Sequence, residues 1–422
     1  MRVLVLGSGA KDHAVAWWFS QSRFINGLFV APGNLGTESI AVNLSSVDPS
    51  SPEQVYDACV AHSIDFVFVG TESPLFTGVI DYLNERGIAT FGAPRKALKL
   101  EGDRRFAREF THRYGIPTPS YYVFEDEKTF ADFIERHPGK RFVIKRNALS
   151  PSRVMLNSDD PASLLAFARP LLVNDAILVE DYRIGMAVTL SVLMDNKGFL
   201  ALPACSDYMK TGTGSTGLPT GGMGSICPVP LKDCVRNTIM DSIVLPTLHG
   251  LKTEGLAYKG VLTFSLIDTP EDGPILVDYH IRFNDPAAQA GIPLVKSDLV
   301  EILQAMQNDT LADFKLEISP QCSVAVVIAS EGYPTSPMTG MTVADVPVVV
   351  RNNKLASTPR VFCGAVQHID GKPITTGGRN ITVVGVEDTI ADANHKAYEI
   401  VHLIRFPGAW YRSDIGNKFF QQ

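Results

Sequence analysis

The sequence predicts an α/β fold with three parts: an N-terminal open parallel-sheet domain, a larger central region with a lid subdomain, and a small C-terminal α/β domain. Three observations predict it. Short continuous apolar runs alternate with helical stretches and end in Gly- or Pro-bearing loops, the pattern of strands buried on both faces of a parallel sheet. The run Ile116-Pro117-Thr118-Pro119 interrupts an Arg-rich helical stretch and marks a boundary. The 422 residues correspond to roughly three domains of about 150 residues each.

The elements follow in order. Val3–Leu6 is the first buried strand, and it ends in Gly7-Ser8-Gly9-Ala10, with a helix expected from Asp12. Leu28–Val30 and Phe66–Val69 are further strands, leading into Ala31-Pro32-Gly33-Asn34 and Gly70-Thr71-Glu72-Ser73-Pro74. Ligands on such sheets bind at the carboxyl ends of the strands, where these loops lie. Lys96–Tyr114 reads as helix. A strand over Phe142–Lys145, a helix near Ala162–Leu172 and a strand over Ala176–Glu180 make a compact lid-like unit. Leu190–Leu193 and Gly260–Ile267 read as strands of a larger sheet. The Gly-rich run Thr211–Gly217 and Gly221-Gly222-Met223-Gly224 between them exceed a simple turn. The last hundred or so residues give strands at Val324–Ile328, Val348–Arg351 and Thr382–Gly385 and a helix near Thr389–Ile404.

Composition narrows the function. Hydrophobic residues are 45% and charged residues 20%, an ordinary globular balance. Lys+Arg 38 against Asp+Glu 45 gives a net charge of −7, which argues against nucleic-acid or membrane-surface binding but leaves room for a local basic pocket. The six cysteines are scattered without a C-x-x-C pair, so a reducing cytoplasm is the expectation rather than a disulfide framework or zinc site. No apolar run reaches the length of a membrane span, and the N-terminus lacks the apolar core of a signal peptide.

Four groups of residues carry candidate chemistry. Gly7-Ser8-Gly9-Ala10 offers backbone N–H groups to an anion at a helix start. Asp12 stands where a third glycine would complete G-x-G-x-x-G, which disfavours a dinucleotide site. A tight structural turn and a phosphate site account for this loop equally well. Lys145 either snorkels from its strand to solvent or meets a phosphate as a point charge, and taken alone the first is favoured. Asp278 and His280 lie two apart in the strand Ile275–His280 and share a face. A carboxylate beside an imidazole binds a divalent metal, but an ordinary polar pair is the simpler reading. Arg282 and Asp285, on the turn that follows, either orient a substrate carboxylate or amine or form a surface ion pair worth less than about 1 kcal/mol. No serine-nucleophile elbow, H-E-x-x-H helix or Walker A loop occurs.

The order of these landmarks resembles one family along the whole chain, the glycinamide ribonucleotide synthetases (phosphoribosylamine–glycine ligases), ATP-grasp enzymes of purine biosynthesis. The resemblance is carried by Val5-Leu6-Gly7-Ser8-Gly9 with His13-Ala14, then Ala31-Pro32-Gly33-Asn34-Leu35-Gly36-Thr37, Val69-Gly70-Thr71-Glu72-Ser73-Pro74-Leu75 and Phe142-Val143-Ile144-Lys145. Thr220-Gly221-Gly222-Met223-Gly224-Ser225, Tyr258-Lys259-Gly260 and Arg282-Phe283-Asn284-Asp285-Pro286 continue it. Glu331-Gly332-Tyr333-Pro334, Thr376-Gly377-Gly378-Arg379 and Arg412-Ser413-Asp414-Ile415-Gly416 complete it.

The resemblance implies a phosphoribosylamine-binding domain over 1–102, an ATP-grasp region over 103–320 with its lid near 119–186, and a C-terminal domain over 321–422. It implies phosphorylation of the glycine carboxylate by ATP with Mg²⁺ or Mn²⁺, followed by attack of 5-phosphoribosylamine on the acyl phosphate. Gly9, Asn34, Gly36 and Glu72 would hold phosphoribosylamine. Gly221, Gly222, Met223, Arg282, Asp285 and Pro286 would line the place where the substrates meet. Arg104, Lys145, Arg153, Glu180 and Asp181 would contact ATP, and Asp278 and His280 occupy the metal-ligand positions. Arg282, Asp285 and Lys145 would carry the catalysis. Small molecules are the implied partners, namely phosphoribosylamine and glycine or a related amino acid, with the chain a monomer or homodimer.

The chain departs from that family mainly on the nucleotide side. The family's glycine-rich loop with a second Lys is Arg146-Asn147-Ala148-Leu149-Ser150-Pro151-Ser152-Arg153, without glycine. Its first phosphate Lys is Arg104, its ribose-holding Glu is Ala187, and its metal-binding Glu and Asn are Asp278 and His280. Histidine moves metal preference from Mg²⁺ toward Mn²⁺. Asn284 and Ala287 replace a Gly and a Glu, and Ala10, Lys11 and Asp12 replace Gly, Arg and Glu. Two further readings arise from this pattern: a paralogous ligase for another carboxylate or amine, and a non-catalytic relative that has lost ATP binding.

Overall fold

A computed structural model describes residues 1–148, 155–344 and 360–420. The expected strand Val348–Arg351 and the proposed ATP contact Arg153 lie outside the described residues.

The N-terminal sheet has five parallel strands in the order Val42–Asn43, Gly27–Pro32, Arg2–Gly7, Phe66–Val69, Ala89–Phe91. Val3, Leu4, Val5 and Leu6 are wholly buried because helices cover both faces. The chain leaves the first strand to one side and returns on the other, so a crevice opens at the carboxyl end of Arg2–Gly7. The helix Ala10–Ser20 starts there, two residues before the expected position, with Gly9 as its N-cap.

The lid is a four-stranded antiparallel sheet, ordered Tyr121–Phe124, Ile177–Asp181, Phe142–Arg146, Met155–Ser158. Helices Glu127–Glu135 and Pro161–Leu171 cover one face and close a separate core around Phe130, Phe142, Ile144, Ile177 and Val179. The period-two alternation of a strand turns Lys145 and Glu180 to the opposite face.

That face meets the central antiparallel sheet, ordered Phe199–Ala201, Met186–Met194, Gly260–Thr269, Gly273–His280. Ser265 lies opposite Asp278 but Leu266 lies opposite Leu276, so Val277 is the extra residue of a bulge. Its carbonyl turns out of the ladder and accepts hydrogen bonds from Arg108 and, at 3.5 Å, from Lys145. Asp278 and His280 follow the bulge and keep the shared face that the sequence predicts.

The C-terminal sheet does not respect the expected boundary at residue 320. Its order is Ser206–Asp207, Gly224–Cys227, Cys322–Ser330, Arg379–Glu387, Arg360–Cys363, so two strands come from the central stretch. Such long-range pairing leaves no trace in local apolar periodicity. The Gly-rich run Thr211–Gly217 folds into a hairpin, Lys210–Gly212 against Thr216–Pro219, pinned where Gly214 N donates to Asp414 Oδ2 at 2.9 Å. Among the described residues no helix is long and apolar enough to cross a membrane.

His13 joins the first domain to the last. Its buried Nδ1 accepts a hydrogen bond from Cys363 N at 2.9 Å, and its ring meets Phe362 edge-on at 5.4 Å. Asn34 Nδ2 donates to Cys363 O at 2.6 Å beside it. Burial lowers the His13 pKa from its ordinary 6.5 to about 3. Between those values the unfolded chain binds a proton that the folded chain does not, so stability falls as pH drops below 6.5. Wild type should therefore lose about 2 kcal/mol relative to His13→Gln between pH 7 and 5 in urea titrations. Parallel pH profiles would show that His13 does not set this dependence.

Candidate active site

Two pockets of chemistry lie on either side of the strand Gly273–His280 and the turn that continues it. On the lid side, Arg108 Nε donates to Glu180 Oε1 at 2.6 Å, and Lys145 Nζ lies 2.8 Å from Glu180 Oε2 and 3.1 Å from Asp278 Oδ2. Lys145 is 2% exposed, so it does not snorkel to solvent; the carboxylates of two different sheets hold it. Burial pushes the Asp278 carboxyl up, but Lys145, Arg104, Arg108 and His280 outweigh that effect and hold it below the usual carboxylate range. Arg104 also donates to Arg146 O at 2.8 Å. Asp181, at the end of the lid strand, pairs with Lys140 at 2.7 Å.

His280 Nδ1 lies 2.9 Å from Glu101 Oε1 and Nε2 lies 3.1 Å from Ser265 Oγ. Burial raises the Glu101 carboxyl, but Arg282, His280 and the Ile281 N–H bring it down to about 2. An ionised Glu101 can only accept, which puts the imidazole proton on Nδ1 and turns the Nε2 lone pair toward Ser265. A ligating histidine characteristically donates its second N–H to a carboxylate. The donor set of Asp278 and His280 therefore fits a divalent metal that takes its remaining ligands from phosphate and water. No group of three or more His, Cys, Asp or Glu suited to a metal is present among the described residues.

On the other side, the Arg282 guanidinium is buried between Glu72 and Glu101, with Nη2 3.0 Å from Glu101 Oε1. Asp285 Oδ1 accepts from Arg379 Nη1 at 2.9 Å and from Gln289 Nε2 at 2.9 Å. Arg379 also donates to Gly221 O at 2.8 Å and Gly222 O at 3.3 Å, and Gly221 N donates to Tyr333 OH at 2.9 Å. A cavity of about 340 Å³ opens beside this knot. The first loop lines it with Ser8, Gly9 and Ala10, and the C-terminal domain with Gly364, Ala365, Gln367, Thr376, Arg379 and Thr382; Asp285 completes the wall. The N-terminus of an eleven-residue helix and one arginine thus face a single space, an arrangement that suits a phosphate-bearing ligand.

The sequence-predicted residues divide four ways. Gly9 and Asp285 line the cavity, and Lys145, Glu180, Asp278 and Arg104 gather on the lid side. Glu72 and Arg282 pair between the two. Asn34, Gly36 and Met223 shape the loops: Asn34 Oδ1 accepts from Gly36 N and Thr37 N, and the side chains of Asn34 and Met223 are wholly buried. A Cβ on Gly36 would lie 2.1 Å from the His13 ring. Lys11 and Asp12 are buried beneath the first loop, where Lys11 donates to Gly70 O and Asp12 Oδ2 accepts from Gly9 N at 2.9 Å. Glu101, Arg108 and Gln367 were not singled out by sequence reasoning. Tyr333 and Arg379 stood in the noted runs Glu331–Pro334 and Thr376–Arg379, with no role read for either.

Comparison with known proteins matches three models of phosphoribosylglycinamide synthetase: its N domain over residues 1–101, its ATP-grasp (A) domain over 102–288 and its C domain over 323–418. The phosphoribosylamine–glycine ligase of Rhodopirellula baltica is 32% identical, covering 99% of this chain and 97% of that protein. The enzyme of the same name from Rhizobium meliloti is 35% identical over 99% and 98%. The crystal structure of the phosphoribosylamine–glycine ligase of Thermotoga maritima superposes with a TM-score of 0.83 at 26% identity, covering 98% of this chain and all of that one.

Gly222, whose carbonyl accepts from Arg379 beside the cavity, sits in a tightly packed turn. Its φ is +115°, and a Cβ there would lie 2.4 Å from Pro286 Cδ and 2.9 Å from Asp285 O. Gly214, at φ +63°, has open space around it. Gly222→Ala should cost about 1–3 kcal/mol more than Gly214→Ala in urea titrations, because it adds a clash to the backbone strain. Equal costs would mean that the turn at Pro286 yields freely.

Proposed function

The chain belongs to the phosphoribosylglycinamide synthetase family of ATP-grasp carbon–nitrogen ligases, and on that premise we propose that it joins 5-phosphoribosylamine to glycine in purine biosynthesis. The observation that carries this reading is the cavity shared by the first loop, Asp285 and Arg379, set one strand away from the Lys145–Asp278 cluster. One side suits a phosphoribosyl amine, the other a nucleoside triphosphate, and the turn Arg282–Pro286 lies between them.

ATP-grasp enzymes bind ATP with a divalent metal, and in this chain Asp278 and His280 would hold it. The metal, when bound, neutralises phosphate charge and polarises the transferring phosphoryl group. Lys145 and Arg104 supply further positive charge there as fixed groups. A glycine carboxylate oxygen attacks the γ-phosphorus, and ADP leaves. The amine of phosphoribosylamine then attacks the acyl carbon, the C–N bond forms and phosphate departs. Asp285, on the cavity wall, is placed to take the proton that the amine loses. Arg282, held between Glu72 and Glu101, presents a buried cation to the acyl phosphate. The nitrogen donor of His280 makes Mn²⁺ at least as good an activator as Mg²⁺.

The test is ADP release and glycinamide ribonucleotide formation with ATP, glycine and freshly generated phosphoribosylamine. Turnover that requires both co-substrates is expected, with Mn²⁺ supporting a rate equal to or above that with Mg²⁺. Asp278→Ala should abolish it. Nucleotide turnover with another amino acid but not with glycine would replace the reading with that of a paralogous ligase, and an unchanged rate in Asp278→Ala would remove Asp278 from the chemistry.

A further inference from the structure

One buried carboxylate belongs to neither half of the site but touches both. Glu101 lies in the short helix Lys99–Gly102, at the crossing from the first domain into the ATP-grasp region. Its Oε1 lies 2.9 Å from His280 Nδ1 and accepts from Arg282 Nη2 at 3.0 Å, and its Oε2 accepts from Ile281 N at 3.0 Å. Three consecutive residues, the last of the bulged strand and the two that follow it, are thus held by one side chain that is 4% exposed. His280 lies beside Asp278 on the lid side, while Arg282 reaches Glu72 on the phosphoribosylamine side.

We propose that Glu101 is a positioning residue that fixes the His280 tautomer for the metal and, through the same oxygen, sets Arg282 against the second substrate. The two half-reactions are then held in register by one carboxylate. With Nδ1–H turned to Glu101, a metal would be met by Nε2, the nitrogen that lies 3.1 Å from Ser265 Oγ. With Arg282 held by the same atom, a rotation of either side chain displaces the other. This deepens the ligase reading and rests on it for Arg282 alone; the metal half stands on the chain's own contacts.

Glu101→Gln keeps the shape and loses the charge. In the full-length protein it should weaken Mn²⁺ binding, read by electron paramagnetic resonance, by tenfold or more. It should lower kcat for ligation by a similar factor and leave the KM for ATP within twofold. In a His280→Asn background the same change should alter Mn²⁺ affinity less than twofold, because the link is already gone. Histidine-selective ¹⁵N spectra of the wild type, assigned with His280→Asn, should show a protonated Nδ1 and a bare Nε2, and they test the claim even if Glu101→Gln does not fold. An Nε2–H tautomer would overturn the proposal, as would Mn²⁺ affinity within twofold of wild type or equal losses in both backgrounds. Absence of turnover with glycine and phosphoribosylamine would contradict the ligase reading instead, and the Mn²⁺ and tautomer results would still decide the role of Glu101.

Discussion

The site depends on a single stretch of backbone, the end of the strand Gly273–His280 and the turn to Pro286. The bulge at Val277 turns a carbonyl toward Arg108 and Lys145 and sets the residues that follow. From there Asp278 meets Lys145 of the lid, His280 and Arg282 meet Glu101, Arg282 also meets Glu72 of the first domain, and Asp285 meets Arg379 of the last. Lid, first domain and last domain are therefore each tied by an ion pair to Asp278, Arg282 or Asp285 of this one segment. Buried pairs of this kind are weak evidence for stability, because desolvation consumes much of their attraction. Their clear consequence is geometric: each charge has a partner on another domain, and removing a partner leaves a buried charge alone.

The same segment explains the uneven pattern of departures from the family. Where the resemblance sets lysine, glutamate and asparagine against Arg104, Asp278 and His280, Arg104 keeps a positive charge and donates to Arg146 O, Asp278 pairs with Lys145 and His280 meets Glu101. Ala187 has no such replacement on its own side chain. At the first loop Lys11 and Asp12, where the resemblance sets arginine and glutamate, are buried groups of opposite charge under the first turn. Charge is kept more faithfully than side-chain length, as expected if phosphate neutralisation is what the nucleotide side must supply.

Much of the fold was legible in the sequence because buried parallel strands are continuous apolar runs. Val3–Leu6 and Phe66–Val69 appear almost residue for residue, and the helix near Thr389–Ile404 is observed over Ile390–Val401. The pairing of Ser206–Asp207 and Gly224–Cys227 with the C-terminal sheet was not legible, since register between distant strands is decided by tertiary packing. The site divides along the same line. Asp278 and His280 were visible as a same-face pair, whereas Glu101 sits in a four-residue helix with no period to read. Lys145 shows the limit most clearly: the residues around it favoured exposure, and a carboxylate from another sheet reversed that.

The central claim is that this segment completes a nucleotide site that still works despite the glycine-free loop and Ala187. Calorimetric titration of the full chain with a non-hydrolysable ATP analogue and Mg²⁺, repeated with Mn²⁺, tests it most directly. The account predicts binding in the micromolar range, about −8 kcal/mol, with Mn²⁺ no weaker than Mg²⁺. Absence of binding with either metal would contradict it and leave a phosphoribosyl-binding relative without a ligase reaction.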